Sequence, residues 1–282
     1  MKRLLVLTIC FIFMRLASGW AEPFHSVELL PRHKWELGTE VSYITYKEPG
    51  VMKNKGMMYG ILGSYTYRGW ESPAPETQDK RRETLEARFS WGKVDYSSEG
   101  TGSLDNIDDY LGEVRGIEGY EFPVFEASTI IPYIGVGYRY LNNDISGMTT
   151  TTGHLGYERE SNYLYSPIGI EFITDLEGGW SLGATLEYDI FWWGKQKSHL
   201  SDVVASCNDL ENEQKKGYGC RGSIKLEKRG QKLDFVIEPF IRYWNIKKSE
   251  EQALICSGVI WGYGYEPKNR STEFGVKVTA RF

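Results

Sequence analysis

Beyond its first two dozen residues, this chain of 282 residues lacks any apolar run approaching the roughly 18 to 20 residues that a membrane helix requires. A bundle of membrane helices is thereby excluded. Histidine is scarce, with only His25, His33, His154 and His199, and there are four cysteines. No C-x-x-C pair and no Cys/His spacing of the zinc type occurs, so neither a metal nor another cofactor is expected. A formal net charge of −5 gives no basic excess for a nucleic-acid partner. No internal repeat or linker-like stretch divides the chain.

Aromatic residues and glycine are plentiful: 14% of the chain is aromatic, with 19 Tyr and 9 Trp, and there are 31 Gly. Mean hydropathy is nevertheless only −0.42. A transmembrane β-barrel has this signature, because lipid-facing and lumen-facing residues cancel in any average. A soluble β-sandwich shares it, so the patterning within strands has to decide.

Met1-Lys2-Arg3 is a basic start, Leu4 to Met14 is apolar, and Gly19 and Ala21 supply small residues at a cleavage site. Residues 1–21 read as a cleaved export signal; the apolar run is too short to span a membrane and Arg15 interrupts it. Thr8-Ile9-Cys10 lacks the small residue that precedes a lipoprotein cysteine. The segment carries three cations and no acid, so its removal takes the formal charge from −5 to −8. Residues 22–282 are expected to form a single barrel domain. Export permits a disulfide among Cys207, Cys220 and Cys256, with three pairings open; Cys207 with Cys220 closes the shortest loop and is preferred.

Period-2 alternation recurs along the chain. It predicts strands over Trp35–Tyr46, Met57–Tyr67, Thr84–Tyr96, Tyr110–Tyr120, Ile131–Leu141, Tyr163–Phe172, Trp180–Trp192, Tyr218–Leu226, Leu233–Tyr243 and Ser271–Phe282. The strongest case sets Trp180, Leu182, Ala184, Leu186, Tyr188, Ile190 and Trp192 against Ser181, Gly183, Thr185, Glu187 and Asp189. A strand this long with Trp at both ends suits a lipid-facing surface between two aromatic girdles. Residues 48–56 read as a turn and Ser97–Asp109 as a Gly/Ser/Asp loop. Long connections are expected after the third, fifth, seventh and ninth strands. Pro167 and Pro239 sit awkwardly inside strands, since each lacks a ladder donor.

In the last strand Phe274, Val276, Val278, Ala280 and Phe282 alternate with Glu273, Gly275, Lys277, Thr279 and Arg281. That ending on an aromatic resembles the closing strand of bacterial outer-membrane β-barrels, which the outer-membrane assembly machinery reads. Signal, strands and ending together resemble small bacterial outer-membrane barrel proteins, including the outer membrane protein A and W types. The resemblance implies an all-β, antiparallel, up-and-down transmembrane barrel in the bacterial outer membrane. Ten strands are expected, with eight or twelve within the error of the count. Outer-membrane lipid and the assembly machinery would be its partners, and it would be a monomer.

With the apolar faces outward, the lumen receives Glu36, Glu40, Glu86, Arg88, Arg115, Arg139, Glu171, Glu187, Asp189, Arg221, Lys225, Glu238, Arg242, Glu273, Lys277 and Arg281, together with Glu227 and Asp234. About eight strands suffice for side chains to fill a barrel, and a water-filled porin has about sixteen, so ten strands predict a narrow, charge-filled interior. Enzymatic chemistry finds little support. Ser198, His199 and Asp202 have the residue types of a hydrolytic triad but are neighbours in one loop. The omptin proteases use an Asp-x-His pair and a second Asp pair near the rim; this chain has no Asp-x-His, and Asp108-Asp109 alone matches poorly. No Ser/His motif of the lipid A deacylases occurs either. Asp105, Asp108 and Asp109 read as a solvated acidic loop rather than a cation site. The apolar segment Leu254–Tyr265 would offer a contact surface outside the cell. The expected function is therefore envelope structure or surface interaction without catalysis. A narrow channel for small solutes is the first alternative and a rim-site hydrolase the second.

Overall fold

The computed structural model describes residues 32–69 and 80–282. The export signal expected at 1–21, the lead-in to residue 31 and most of the 69–81 connection lie outside the described residues. In chain order the strands are β1 (His33–Glu48), β2 (Met52–Arg68), β3 (Arg81–Ser98), β4 (Gly102–Tyr120), the short β5 (Phe122–Phe125), β6 (Ser128–Asp144), β7 (Arg159–Leu176), β8 (Trp180–Ser198), the short β9 (Leu210–Gln214), β10 (Gly217–Lys228), β11 (Asp234–Ile246), the hairpin β12 (Gln252–Cys256) and β13 (Val259–Gly264), and β14 (Asn269–Arg281). Ten of these form one closed antiparallel ring, in which β8 pairs with β10 and β14 returns to β1. The seam closes on reciprocal bonds, Trp35 N–H to the Phe282 carbonyl at 2.9 Å and Phe282 N–H to the Trp35 carbonyl at 3.0 Å. Closure leaves no strand edge unpaired, as a sheet in hydrocarbon requires.

Which face looks outward is decided on β8. Leu186 is 70% exposed, while Asp189, three residues on, is 0% exposed. The apolar set Leu37, Val41, Ile61, Leu85, Val136, Ile237 and Val278 is likewise on the outer surface. Aromatic rings border this belt at both ends: Trp35 with Tyr65 (4.7 Å between centroids) and Tyr120 with Phe122 (4.8 Å) near the termini, Tyr43 with Phe274 (5.7 Å) and Tyr188 with Tyr218 (5.9 Å) at the other end. From Trp180 to Trp192 the strand rises about 40 Å, or about 30 Å in height at a tilt of about 40°, which matches a bilayer core.

The strands also run well past the outer girdle, and this corrects two expectations. Ser97–Asp109 is not a loop. β3 and β4 stay paired through Lys93–Asp108, Tyr96–Leu104 and Ser98–Gly102, with a bulge where Asn106 takes a left-handed φ of 60°. The turn expected at 48–56 shrinks likewise, because β2 already begins at Met52. Above the membrane both faces of a strand can be polar, so the ladder continues where alternation has stopped. Among the described residues the long connections are those after β6, β8 and β11, all at the end remote from the termini; the connection from β2 to β3, mostly outside the described residues, is the exception in length at the terminal end.

Both awkward prolines sit where a ladder lapses. The β6–β7 pairing skips from Ile134–Ile168 to Gly137–Tyr165 around Pro167, and the β10–β11 pairing skips from Ser223–Phe240 to Leu226–Ile237 around Pro239. Each proline is tolerated because its missing donor faces the gap, while its other ladder is kept.

The disulfide joins Cys207 to Cys256, not to Cys220. Cys220 lies within β10 between Tyr188 and Tyr243, committed to the sheet. Asn208, next to Cys207, holds the same junction: its N–H donates to the Ile255 carbonyl at 2.9 Å and its Oδ1 accepts the Ile255 N–H at 2.6 Å. The bridge pins the β12–β13 hairpin to the loop following β8. Proximity in sequence favoured the short loop; docking of two distant loops decided otherwise.

Candidate functional site

The inward face of the ring is layered along the barrel axis, and β1 gives the order through Glu36, Glu40, Ile44 and Glu48. Nearest the termini, Arg281 binds Glu36 and Glu227, and Lys34 lies 3.2 Å from Asp234. Lys277 meets Glu238 at 3.0 Å and Lys225 meets Glu171 at 2.9 Å. Lys34, Glu36, Glu171, Lys225, Glu238, Lys277 and Arg281 line a cavity of about 200 Å³, together with Glu86, which also meets Arg115 at 3.1 Å.

The next layer is a closed mesh of guanidiniums and carboxylates. Arg88 reaches Glu113 at 2.8 Å, Glu40 at 2.9 Å and Glu273 at 3.0 Å. Arg242 binds the same Glu40 and Glu273, at 2.9 and 3.0 Å. Arg221 binds Glu113, Glu187 and Asp189 at 2.6 to 3.0 Å, and Arg115 grips Glu187 with both terminal nitrogens at 2.8 and 2.9 Å. Remaining acceptor capacity is used by Ser90 and Ser42, which donate to Glu40 and Glu273, and by Tyr133 and Tyr165, which donate to Glu187 and Glu113 at 2.7 Å. Two of these tyrosines depend on glycine: a Cβ at Gly137 would strike the Tyr165 ring, and one at Gly169 the Tyr133 ring.

Above the mesh the lumen is apolar, which charge counting did not foresee. Ile44, Met58, Val94, Ile107, Leu111 and Ile145 form one cluster, and Tyr163, Tyr165, Phe191, Trp244 and Ile246 another. Trp244 meets Tyr165 edge-on with centroids 5.0 Å apart. Arg139, expected among the lumen charges, belongs to this layer. It is 1% exposed, lies 5.4 Å from the Trp244 ring and forms no ion pair among the described residues. The signal for this layer was in the sequence: Tyr43-Ile44, Met57-Met58, Tyr110-Leu111 and Tyr243-Trp244 are adjacent apolar pairs that break strict alternation because both faces are apolar there.

At the mouth, Arg159 binds Glu266 at 2.8 Å and Glu48 at 2.5 Å, and the Tyr46 hydroxyl donates to both carboxylates. Charge counting missed Glu48, Arg159 and Glu266, which lie outside the predicted strands, and Glu113, two residues before Arg115 on the same face. Burial pushes the Glu266 carboxyl up to about 7 from its ordinary 4.5, with Glu48 adding to the push and Arg159 opposing it. Between those values the folded chain keeps a proton that the unfolded chain gives up, so stability falls as pH rises through that window. The slope expected from this one group is at most about 1.4 kcal/mol per pH unit. Denaturant midpoints measured from pH 4 to 8 should flatten over this window in Glu266→Gln; an unchanged slope would place the proton elsewhere.

Among the described residues Ser198, His199 and Asp202 do not assemble into a triad. His199 Nδ1 is 3.4 Å from Asp209, while Asp202 accepts the Glu158 N–H at 3.0 Å and Ser201 donates to Asp209 at 2.7 Å. Glu158, Glu160 and His199 bring three ligand-type atoms within 4.8 Å of one another. The acidic run separates: Asp108 faces outward against Lys93, Asp109 faces inward, and Asp105 is exposed.

Neither a protein-family model nor a curated protein matches the sequence. Solved structures do. The outer membrane protease OmpT of Escherichia coli aligns with a TM-score of 0.58 at 9% identity, covering 92% of this chain and 99% of that one. The fold is that of an outer-membrane β-barrel. The translocator domain of the autotransporter NalP from Neisseria meningitidis aligns at a TM-score of 0.43 with 12% identity over 89% of each chain. The toluene transporter TodX of Pseudomonas putida gives 0.34 and 11% over 88% and 89%. At those scores neither bears on topology or function, and 9% identity to OmpT carries the fold alone. The barrel described here has no Asp-x-His, and its Asp108 and Asp109 diverge to opposite faces.

Proposed function

We propose that the chain is a monomeric, non-enzymatic barrel of the bacterial outer membrane, closed to solutes, that serves envelope structure and contacts at the cell surface through its long loops. The observation that carries this reading is the stacking of two seals: the Arg88–Glu40–Glu273–Arg242 mesh and, directly above it, the apolar layer around Trp244. A hydrated ion crossing the first must break several charge-assisted bonds and then shed its water in the second. In this reading the closing strand, with Phe274, Val276, Val278, Ala280 and Phe282 outward, is what the assembly machinery recognises, and the outward belt is covered by outer-membrane lipid. The disulfide-pinned hairpin, with Val259, Ile260, Trp261 and Tyr263 exposed, is the contact surface.

Planar-bilayer recording tests the closure. The folded protein is expected to give no discrete conductance steps; regular steps would replace the closed barrel by the narrow solute channel. Peptide or ester hydrolysis that disappears in His199→Ala would instead restore an enzymatic role.

A further inference from the structure

Outside the barrel, beyond the outer aromatic girdle, one arc of the wall carries like charges in direct register. Lys47 on β1 lies opposite Lys53 on β2 and opposite Arg270 on β14. The same surface continues where β14, β11 and β10 run out. The Ile246–Asn269 and Gly217–Ile246 pairs end those ladders, and Lys268, Lys247 and Lys216 follow immediately, with Lys247 N–H bonded to the Lys216 carbonyl at 2.8 Å. Six cations thus form two adjoining rows across five strands. None of the six makes an ion pair among the described residues. The mutual repulsion is felt: Lys247, and then Arg270, push the Lys268 ammonium below its ordinary range.

Directly opposed like charges destabilise a sheet. Other outward cations above the girdle face acids: Lys93 and Lys195 are ion-paired with Asp108 and Glu211, and Lys55 lies opposite Asp95 in the ladder. In this arc Lys47, Lys53 and Arg270 have no acid opposite them in the ladder. Its height points to the missing counter-charge. Lys47–Arg270 lies four residue pairs beyond the girdle pair Tyr43–Phe274, about 13 Å along the strand and about 10 Å in height. That height is outside the hydrocarbon, at the outer edge of the headgroup region. The arc is also at the long-loop end, opposite the termini, which in such barrels is the outer leaflet.

We propose that this arc is a binding surface for phosphate-bearing headgroups of outer-leaflet lipids, with Lys53, Lys47 and Arg270 as its centre. Bound phosphates would replace the repulsion with charge-assisted hydrogen bonds and fix the height of the barrel in the membrane. The inference rests on the membrane topology of the barrel and is independent of whether its lumen conducts.

The test uses the folded full chain in a zwitterionic detergent, with phosphatidic acid, phosphatidylcholine or inorganic phosphate added at equal concentration, and reads the unfolding midpoint from heat-modifiable gel migration. Phosphatidic acid is expected to raise the midpoint by about 4 °C, an effect lost near 1 M salt. Phosphatidylcholine and inorganic phosphate should leave it unchanged. The triple variant Lys47→Gln, Lys53→Gln, Arg270→Gln should lose the shift and, without lipid, melt above the wild type because the repulsion is gone. If the triple variant does not fold, Lys47→Gln alone, at the centre of the row, should lose at least half the shift. An equal shift with phosphatidylcholine, a full shift with inorganic phosphate, or a shift that survives these substitutions overturns the proposal.

Discussion

Replacing Arg88 by alanine is expected to destabilise the barrel by about 3 to 5 kcal/mol, the range found when one member of a buried ionic network is removed and its partners stay behind. Arg88 joins three carboxylates from three different strands, Glu40 of β1, Glu113 of β4 and Glu273 of β14. Arg242 and Arg221 would remain on those acids, but each already serves two or three of them. The surplus charge then sits in a space shielded from water. Adding Glu273→Gln to Arg88→Ala should recover part of the loss, because an amide tolerates that space better than an unpaired carboxylate. Urea unfolding of the folded protein in lipid, followed by tryptophan fluorescence, measures both variants. A loss under about 1 kcal/mol for Arg88→Ala would mean that water reaches the mesh, and the closed-lumen reading would fail with it.

Trp244→Ala should cost a similar amount, about 3 to 5 kcal/mol, by opening a cavity in the apolar layer. Trp244 is 1% exposed and is packed by Tyr165, Tyr163 and Arg139. Its neighbour Tyr243 points the other way, toward Tyr218 and the lipid. Tyr243→Ala should cost only about 1 kcal/mol, since acyl chains can move into the space it leaves while nothing can fill the lumen site. The contrast between adjacent residues, read in the same unfolding assay, is what identifies an inner apolar plug. Equal losses would mean that the lumen side is as fluid as the lipid side.

The expectation of a narrow, charge-filled lumen missed its apolar layer, for a reason visible in these two residues. Alternation reports a difference between faces. Where lipid is outside and a polar mesh inside, as along Trp180 to Asp189, the pattern is strict and strand direction, face and closure all follow from it. Where the inside is apolar as well, as at Tyr243-Trp244 or Met57-Met58, the pattern fades although the strand continues. Beyond the membrane it fades again for the opposite reason, since both faces of β3 and β4 can be polar there.

The sequence by itself determined the barrel: a chain alternating apolar and polar for ten strands can satisfy its backbone in hydrocarbon only by closing on itself, with greasy side chains outward and charges within. Only the tertiary structure decided which charges meet, that an apolar layer caps them, that Cys256 rather than Cys220 reaches Cys207, and that Lys47, Lys53 and Arg270 stand in one row. Those facts depend on register between strands remote in sequence, and register is set by the packing of the whole ring rather than by any stretch of residues within it.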